Sequence, residues 1–324
     1  MRLGADHVRV RVPATSANLG PGFDALGLAL ALHDDVEVRA VASDDVVVTV
    51  EGEGAGEVPD DATHLVVRAL VAGIERAGAP LTGFRVHCTN RIPHGRGLGS
   101  SAAAVVAGIA AARGLVADPS VLDDAATLRL ATEFEGHPDN AAPAVLGGAT
   151  IAWDGGPTPE RVQGGVRAVG LPLHPGVEAT VLVPTARLAT SRARGVLPAQ
   201  VPHADAARTA GRAALLVEAL TRRPDLLLDA TQDALHQEYR SDVMPGSWDL
   251  LVELRDAGLA ATVSGAGPTV LVLSESSQRE RVDAVLASLV GGAAEWQVAR
   301  PAIDTTGVRV RRVRGGSDEV AVRG

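Results

Sequence analysis

The sequence predicts an α+β protein of two domains, and three observations carry that expectation. At 324 residues, with 46% hydrophobic and 21% charged side chains, the chain can build two cores and is too apolar to be disordered. Alternating β-branched runs such as Val8–Val12 and Val46–Glu51 are interspersed with segments of helical period such as His64–Ala77 and Leu122–Glu135. The Gly/Pro-rich stretch Asp154–Gly165 is the best candidate boundary, dividing residues 1–160 from 161–324.

In order, Val8–Val12 reads as an opening strand, Pro13–Asp24 as a surface loop and Ala25–Leu32 as an apolar strand. Val36–Val41 and Val46–Glu51 read as strands joined by an Asp-rich turn, followed by the helix His64–Ala77 and the strand Arg85–Asn90. Ser100–Arg113 and Leu122–Glu135 read as helices, and Gly147–Trp153 as a strand closing the first half. Glu178–Pro184 opens the second half, Thr262–Leu273 reads as strand, glycine turn and strand, and Gln278–Val290 as an amphipathic helix. Aromatic residues make up only 2% of the chain, so Ala, Val and Leu must fill the cores.

A net charge of −9 argues against nucleic acid as a partner. Arg309–Arg314, with four arginines in six residues, reads as a solvated chain end ahead of Gly-Gly-Ser-Asp-Glu. The single cysteine, Cys88, excludes an intramolecular disulfide, fits a reducing compartment and reads as a buried, inert thiol. No basic-then-apolar leader opens the chain, and its longest apolar run, Ala102–Ala112, is too short for a bilayer. A cytoplasmic protein with no membrane contact is the expectation.

The most informative stretch is Pro93-His-Gly-Arg-Gly-Leu-Gly-Ser-Ser-Ala102, between a strand and a helix. Glycine lets backbone N–H groups approach an anion, and the helix start adds unpaired N–H groups and a favourable dipole. It is not a dinucleotide fingerprint, because Ser100 stands where the third glycine belongs, nor a P-loop, because the chain has no lysine. A glycine turn capped by Ser100 ahead of a buried helix accounts for the same residues. Two further polar clusters stand out: Asn18 and Asp24 within Pro13–Asp24, and Glu133-Phe-Glu-Gly-His-Pro-Asp-Asn140. Asx turns and a helix C-terminal turn are their bland explanations.

Together these segments resemble a known family. Pro93, Gly97-Leu-Gly-Ser-Ser-Ala102 matches the phosphate loop of the GHMP kinases, and Thr262–Leu273 resembles their third motif, which closes the site between domains. Pro13-Ala-Thr-Ser-Ala-Asn-Leu-Gly-Pro-Gly-Phe-Asp24 and Glu135-Gly-His-Pro-Asp-Asn140 are similar to homoserine kinases in particular. The resemblance runs from Pro13 to Leu273. It implies a two-domain GHMP kinase fold with the active site in the interdomain cleft, and ATP-dependent phosphorylation of the L-homoserine hydroxyl in threonine biosynthesis.

The resemblance also assigns residues. ATP phosphates fall to Pro93, Gly95, Arg96, Gly97, Leu98, Gly99, Ser100 and Ser101, and Mg²⁺ to Ser101 with Glu133. Asn18, His137 and Asn140 would hold the reacting hydroxyl. Asn18, Asp24, His137, Thr190, Arg194, Arg240 and Gly265 would bind the amino acid, with Asp24 on its ammonium and the two arginines on its carboxylate. Asn140 replaces the aspartate base of several relatives, so direct attack with late proton loss is expected. His64 stands where the family's adenine loop often has Asn. The family often forms dimers, so the resemblance extends to a homodimer. The rival readings are a mevalonate or shikimate kinase, against which Asp24 counts, and an inactive ligand sensor, against which Ser101 and Glu133 count.

Overall fold

The computed structural model describes residues 2–156, 165–313 and 319–322. The first sheet contains β1 (His7–Ala17), β2 (Leu26–Val41), β3 (Val46–Gly52), β4 (Gly83–Asn90), β5 (Ala149–Asp154), β6 (Val166–Leu171), β11 (Arg309–Val313) and β12 (Glu319–Val322). Its main path runs β12-β11-β1-β2-β4-β3, and β5 joins β2 to β6. The helices of this half are α1 (Leu65–Arg76), α2 (Ser100–Leu115), α3 (Asp124–Glu135) and α4 (Ala141–Leu146). The second sheet, β10-β7-β9-β8, uses β7 (Val177–Pro184), β8 (Ala260–Val263), β9 (Val270–Glu275) and β10 (Trp296–Ala299). With it come α5 (Thr190–Gly195), α6 (His203–Thr221), α7 (Leu227–Ala230), α8 (Pro245–Asp256) and α9 (Arg279–Val290).

Several expectations change. Pro13–Ala17 is strand rather than surface loop: past a register shift at Pro13/Ala14, Ala14–Ala17 pair with Gly27–Leu30. Proline has no N–H for a ladder, and an irregularity there is where a strand tolerates it. One long strand, β2, replaces the two expected over Ala25–Leu32 and Val36–Val41, and β4 inserts between β2 and β3, running parallel to β3. The arginine-rich end is no solvated tail up to Val313. β11 pairs with β1, Val310 is buried, and the Arg312 guanidinium donates to Gly114 O at 2.7 Å and Val116 O at 2.6 Å. Those carbonyls lie at the end of α2, where a cation is favourable; residue 314 lies outside the described residues. The expected division at 160/161 falls in 157–164, also outside them, and the first sheet draws strands from both sides of it.

The helix that starts at the phosphate loop is the centre of the first core. From Ala102 to Leu115 nearly every side chain of α2 is buried, as expected of a helix apolar all round. Small residues let it sit close to α1: a Cβ on Gly108 would lie 2.3 Å from Val66 O. Strand β9 of the second sheet is buried on both faces by strict alternation. Val270 and Val272 of β9 point into a core with α8 and α9, whereas Leu271 and Leu273 join the first core. Cys88 is buried in β4, and burial pushes its thiol up to about 12, so it is inert.

Asp34 ties this frame to the phosphate loop. Its buried carboxylate accepts the Arg91 and Ile92 N–H groups at 2.6 and 2.9 Å, fixing the chain just before Pro93. Burial outweighs these bonds and raises its pKa from 3.8 to about 6. The folded state therefore holds this proton more tightly than the unfolded chain, and stability falls as pH rises from about 4 through about 6. Asp34→Asn keeps an acceptor without the charge. It should match wild type near pH 4 and exceed it above pH 7 by about 1–3 kcal/mol in denaturant melts. A difference that does not grow with pH would contradict this account.

Candidate active site

Three backbone segments meet at the phosphate loop. The Thr15 N–H donates to Leu98 O at 3.1 Å, and the Gly265 N–H to Ala17 O at 3.0 Å. The Ser264 hydroxyl donates to Gly97 O at 2.6 Å and lies 2.8 Å from the Ser16 hydroxyl. Only glycine fits at two of these contacts. A Cβ on Gly97 would lie 2.3 Å from Ser264 O, and one on Gly99 1.9 Å from Thr15 Oγ1, both at positive φ. Gly99 precedes α2 and no side chain caps the helix, so Ser100 is not the cap that the bland explanation required. The start of a buried helix thus faces the cleft with its dipole unopposed by a cap.

On one side of this loop lies a cavity of about 260 Å³, walled by Val12, Val36, Val58, Pro59 and Val66, with His64 and His94 among its polar groups. The His64 Nδ1 accepts the Val66 N–H at 3.3 Å, capping α1 in the way an asparagine could. Burial, reinforced by the neighbouring imidazole of His94, keeps His64 below its ordinary range. It is therefore a neutral ring with its proton on Nε2. An apolar slot with few polar groups, opening onto a phosphate loop, suits a nucleotide base.

The cavity shares Ser100 and Ser101 with a cleft on the other side of the loop. Gly95, Gly97, Gly99, His137 and Asn140 line one wall of this cleft, and Thr190, Arg194, Arg240 and Gly265 the other. It is an interdomain cleft. His137 Nδ1–H donates to the buried Asp139 at 2.6 Å. Burial alone would lower the His137 pKa, but the Asp139 hydrogen bond and charge outweigh it and the pKa is raised. Asn140 accepts the Thr15 hydroxyl at 2.8 Å.

At the far end, Arg194 grips Asp24 with two hydrogen bonds, at 2.6 and 3.3 Å, which raises the arginine's pKa further. Arg240 is buried. Its guanidinium donates to Ala193 O, His236 Nδ1 and Gly265 O at 3.2, 2.9 and 3.1 Å. Burial, then the nearby charge of Arg194, lower its pKa to about 10, so it stays a cation. One oxygen each of Asp24 and Asp139 and a ring nitrogen of His137 lie within 4.8 Å of one another, and both carboxylates act on the charges of Arg194 and Arg240.

Most of the expected residues come together here, and five do not stand as expected. Ser101 Oγ–H donates at 2.6 Å to Glu135, not to Glu133. Two residues apart on a helix is about 200° of rotation, so Glu133 faces away from Ser101, into a second cavity with Arg129 and Trp153 whose wall Asp24 also lines. Arg96 does not reach for phosphate: it donates to Pro184 O and Thr185 O at 2.9 and 3.1 Å, pinning the loop to the second domain. Leu98 is a core residue. Asn18 lines the cleft, but its amide donates to Gly265 O and accepts the Asp24 N–H, both at 2.9 Å, so it holds the loops in place. Pro93 lines neither cavity. Sequence reasoning missed Glu135, Phe23 and His236, although Glu135 and Phe23 stand inside motifs already singled out and His236 lies four residues before Arg240.

Residues 64–148 match the family model for the GHMP kinases N terminal domain and residues 210–290 that for the GHMP kinases C terminal. The chain is 50% identical to the homoserine kinase of Streptomyces coelicolor over 312 residues, 96% of each chain. It is 53% identical to that of Mycolicibacterium smegmatis over 268 residues, 82% of this chain and 84% of the other. A crystal structure of homoserine kinase from Cytophaga hutchinsonii shares the fold with a TM-score of 0.79 at 28% identity, covering 95% of this chain and 98% of the other. The Streptococcus pneumoniae phosphomevalonate kinase structure shares the fold at 13% identity and a TM-score of 0.64, covering 91% of this chain and 99% of the other. A phosphate loop at a helix start, a base-sized slot beside it and this pattern of likeness agree: the chain belongs to the GHMP kinase family and, within it, to the homoserine kinases.

Proposed function

We propose that the chain transfers the γ-phosphoryl group of ATP to the side-chain hydroxyl of L-homoserine, giving O-phospho-L-homoserine, in the cytoplasm. The observation that carries the substrate is the Asp24–Arg194 pair, whose arginine lines the phosphate cleft and whose carboxylate lines the adjoining cavity. A zwitterionic amino acid complements both halves of that pair: its ammonium takes Asp24, and its carboxylate takes Arg194 and Arg240. Mevalonate and shikimate carry no ammonium and would leave Asp24 unpaired. Kinship with homoserine kinases supports the same reading.

The nucleotide base occupies the slot at His64, and the phosphates lie along Gly97–Ser101. Mg²⁺ fits the oxygen pair of Ser101 and Glu135, which are hard donors 2.6 Å apart beside that loop. Bound there, the ion would neutralise charge on the transferring phosphates. His137 and Asn140 orient the homoserine hydroxyl, while Asn18 fixes the backbone of Asp24 and Gly265. No carboxylate stands at position 140, and the Asn140 oxygen already accepts from Thr15. Phosphoryl transfer through a loose transition state relies on such positioning more than on a strong base. The hydroxyl attacks directly and loses its proton late, to phosphate or solvent.

Steady-state ADP release with L-homoserine, mevalonate and shikimate tests the whole reading; turnover with homoserine alone is expected, and preference for another alcohol would overturn it. Arg194→Ala should cost about 2–5 kcal/mol, chiefly as a raised homoserine KM, because a desolvated carboxylate loses its partner. An unchanged KM would remove Arg194 from the substrate site. Glu135→Gln should raise the Mg²⁺ concentration needed for half-maximal turnover and depress kcat, whereas Glu133→Gln should do neither; the reverse pattern would return the metal to Glu133. Asn140→Asp should leave kcat equal or lower, and a severalfold gain would show that attack is limited by the missing base.

A further inference from the structure

Arg194 comes from α5 and Arg240 from the segment before α8, and nothing in their chain positions fixes the distance between two like charges. Both approach one aromatic ring. The guanidinium carbons of Arg194 and Arg240 lie 5.8 and 5.7 Å from the centroid of Phe23. The ring stacks on His236, with centroids 4.9 Å apart and planes at 20°. His236 cannot turn away, because both its nitrogens are engaged: Nε2–H donates to Gly20 O at 2.8 Å, and Nδ1 accepts from Arg240 at 2.9 Å. Phe23 also precedes Asp24, whose backbone N–H is held by Asn18.

We infer that Phe23 is a positioning residue for the substrate carboxylate, its ring holding Arg194 and Arg240 at the spacing a carboxylate bridges. This rests on the reading of those arginines as carboxylate ligands. The negative face of an aromatic ring attracts a guanidinium without neutralising it, so the arginines stay available to an anion. The need is sharpest on substrate binding. When the ammonium of the amino acid takes Asp24, Arg194 loses its bidentate partner, while its contact with the Phe23 ring is not displaced. Burial and the mutual repulsion of the two cations act in the opposite sense, as the lowered pKa of Arg240 records.

The test compares L-homoserine with 2-aminobutane-1,4-diol, which keeps the ammonium and the reacting hydroxyl but lacks the carboxylate. Phe23→Leu should raise the homoserine KM about ten-fold, leave kcat and the ATP KM within about two-fold, and lower the preference for homoserine over the diol about ten-fold. Phe23→Tyr keeps the ring face and should behave as wild type. A purely structural role would weaken both substrates alike, and that result, or a Tyr variant as poor as Leu, overturns the inference. If Phe23→Leu does not fold, stepwise fluorination of the phenyl ring at position 23 drains the face with little change of shape. The preference should then fall with each fluorine, and a flat series overturns the inference. Arg194→Ala and Arg240→Ala serve as the control. If they leave the preference intact, the carboxylate reading itself fails and the role of Phe23 with it. If they abolish it while Phe23→Leu does not, only the role of Phe23 fails.

Discussion

The close approach of three backbones at Gly97 and Gly99 is the constraint from which the rest of the site follows. A single methyl at either position would displace Thr15 or the Ser264 turn. Because β1 continues under the loop as far as Ala17, the loop rests on the first sheet. Because the Ser264 hydroxyl reaches Gly97, it is also bonded to the second domain. Arg96 adds a second clamp on the same side, through Pro184 O and Thr185 O. The phosphate loop is therefore held by both domains at once, which is why residues from each half can converge on it within hydrogen-bond reach.

Much of this was legible in the sequence, because glycine spacing and turn composition are local properties. The strand–loop–helix unit, α1, α3 and α9, and the Thr262–Leu273 hairpin all came from local pattern. What was not legible depends on which element lies beside which. Polar, Pro-containing Pro13–Ala17 reads as loop until β2 is known to pair with it, and Arg309–Val313 reads as tail until β1 is. The carboxylate beside Ser101 shows the limit at single-residue scale. Glu133 and Glu135 sit in one motif, and only the phase of α3 against α2 decides that Glu135 meets Ser101.

Helix and strand geometry also explain why Asn18 was read too directly. A carboxamide in a polar loop invites a substrate role, yet its buried amide must be satisfied locally, and Gly265 O and the Asp24 N–H do so. Both ends of its amide are thus engaged within the protein. His236 is similar: a histidine among surface-like residues turns out buried, neutral and fully bonded, serving Arg240 and Phe23.

The two arginines divide their work according to burial. Arg240 is enclosed and bonded to backbone carbonyls, so it is a fixed charge whose desolvation was met during folding. Arg194 and Asp24 are each about one-third exposed, at 35% and 37%. Pairs that open to water contribute only about 0–1 kcal/mol, so on the proposed substrate reading an incoming zwitterion would separate this one at little cost. A substrate covering it would exclude water, and each half would meet a new partner in a lower dielectric, where the same charges interact more strongly. A site that holds its own weak ion pair until a stronger doubly charged ligand replaces it favours molecules carrying both charges over those carrying one. Discrimination follows from where the pair sits as much as from which residues compose it.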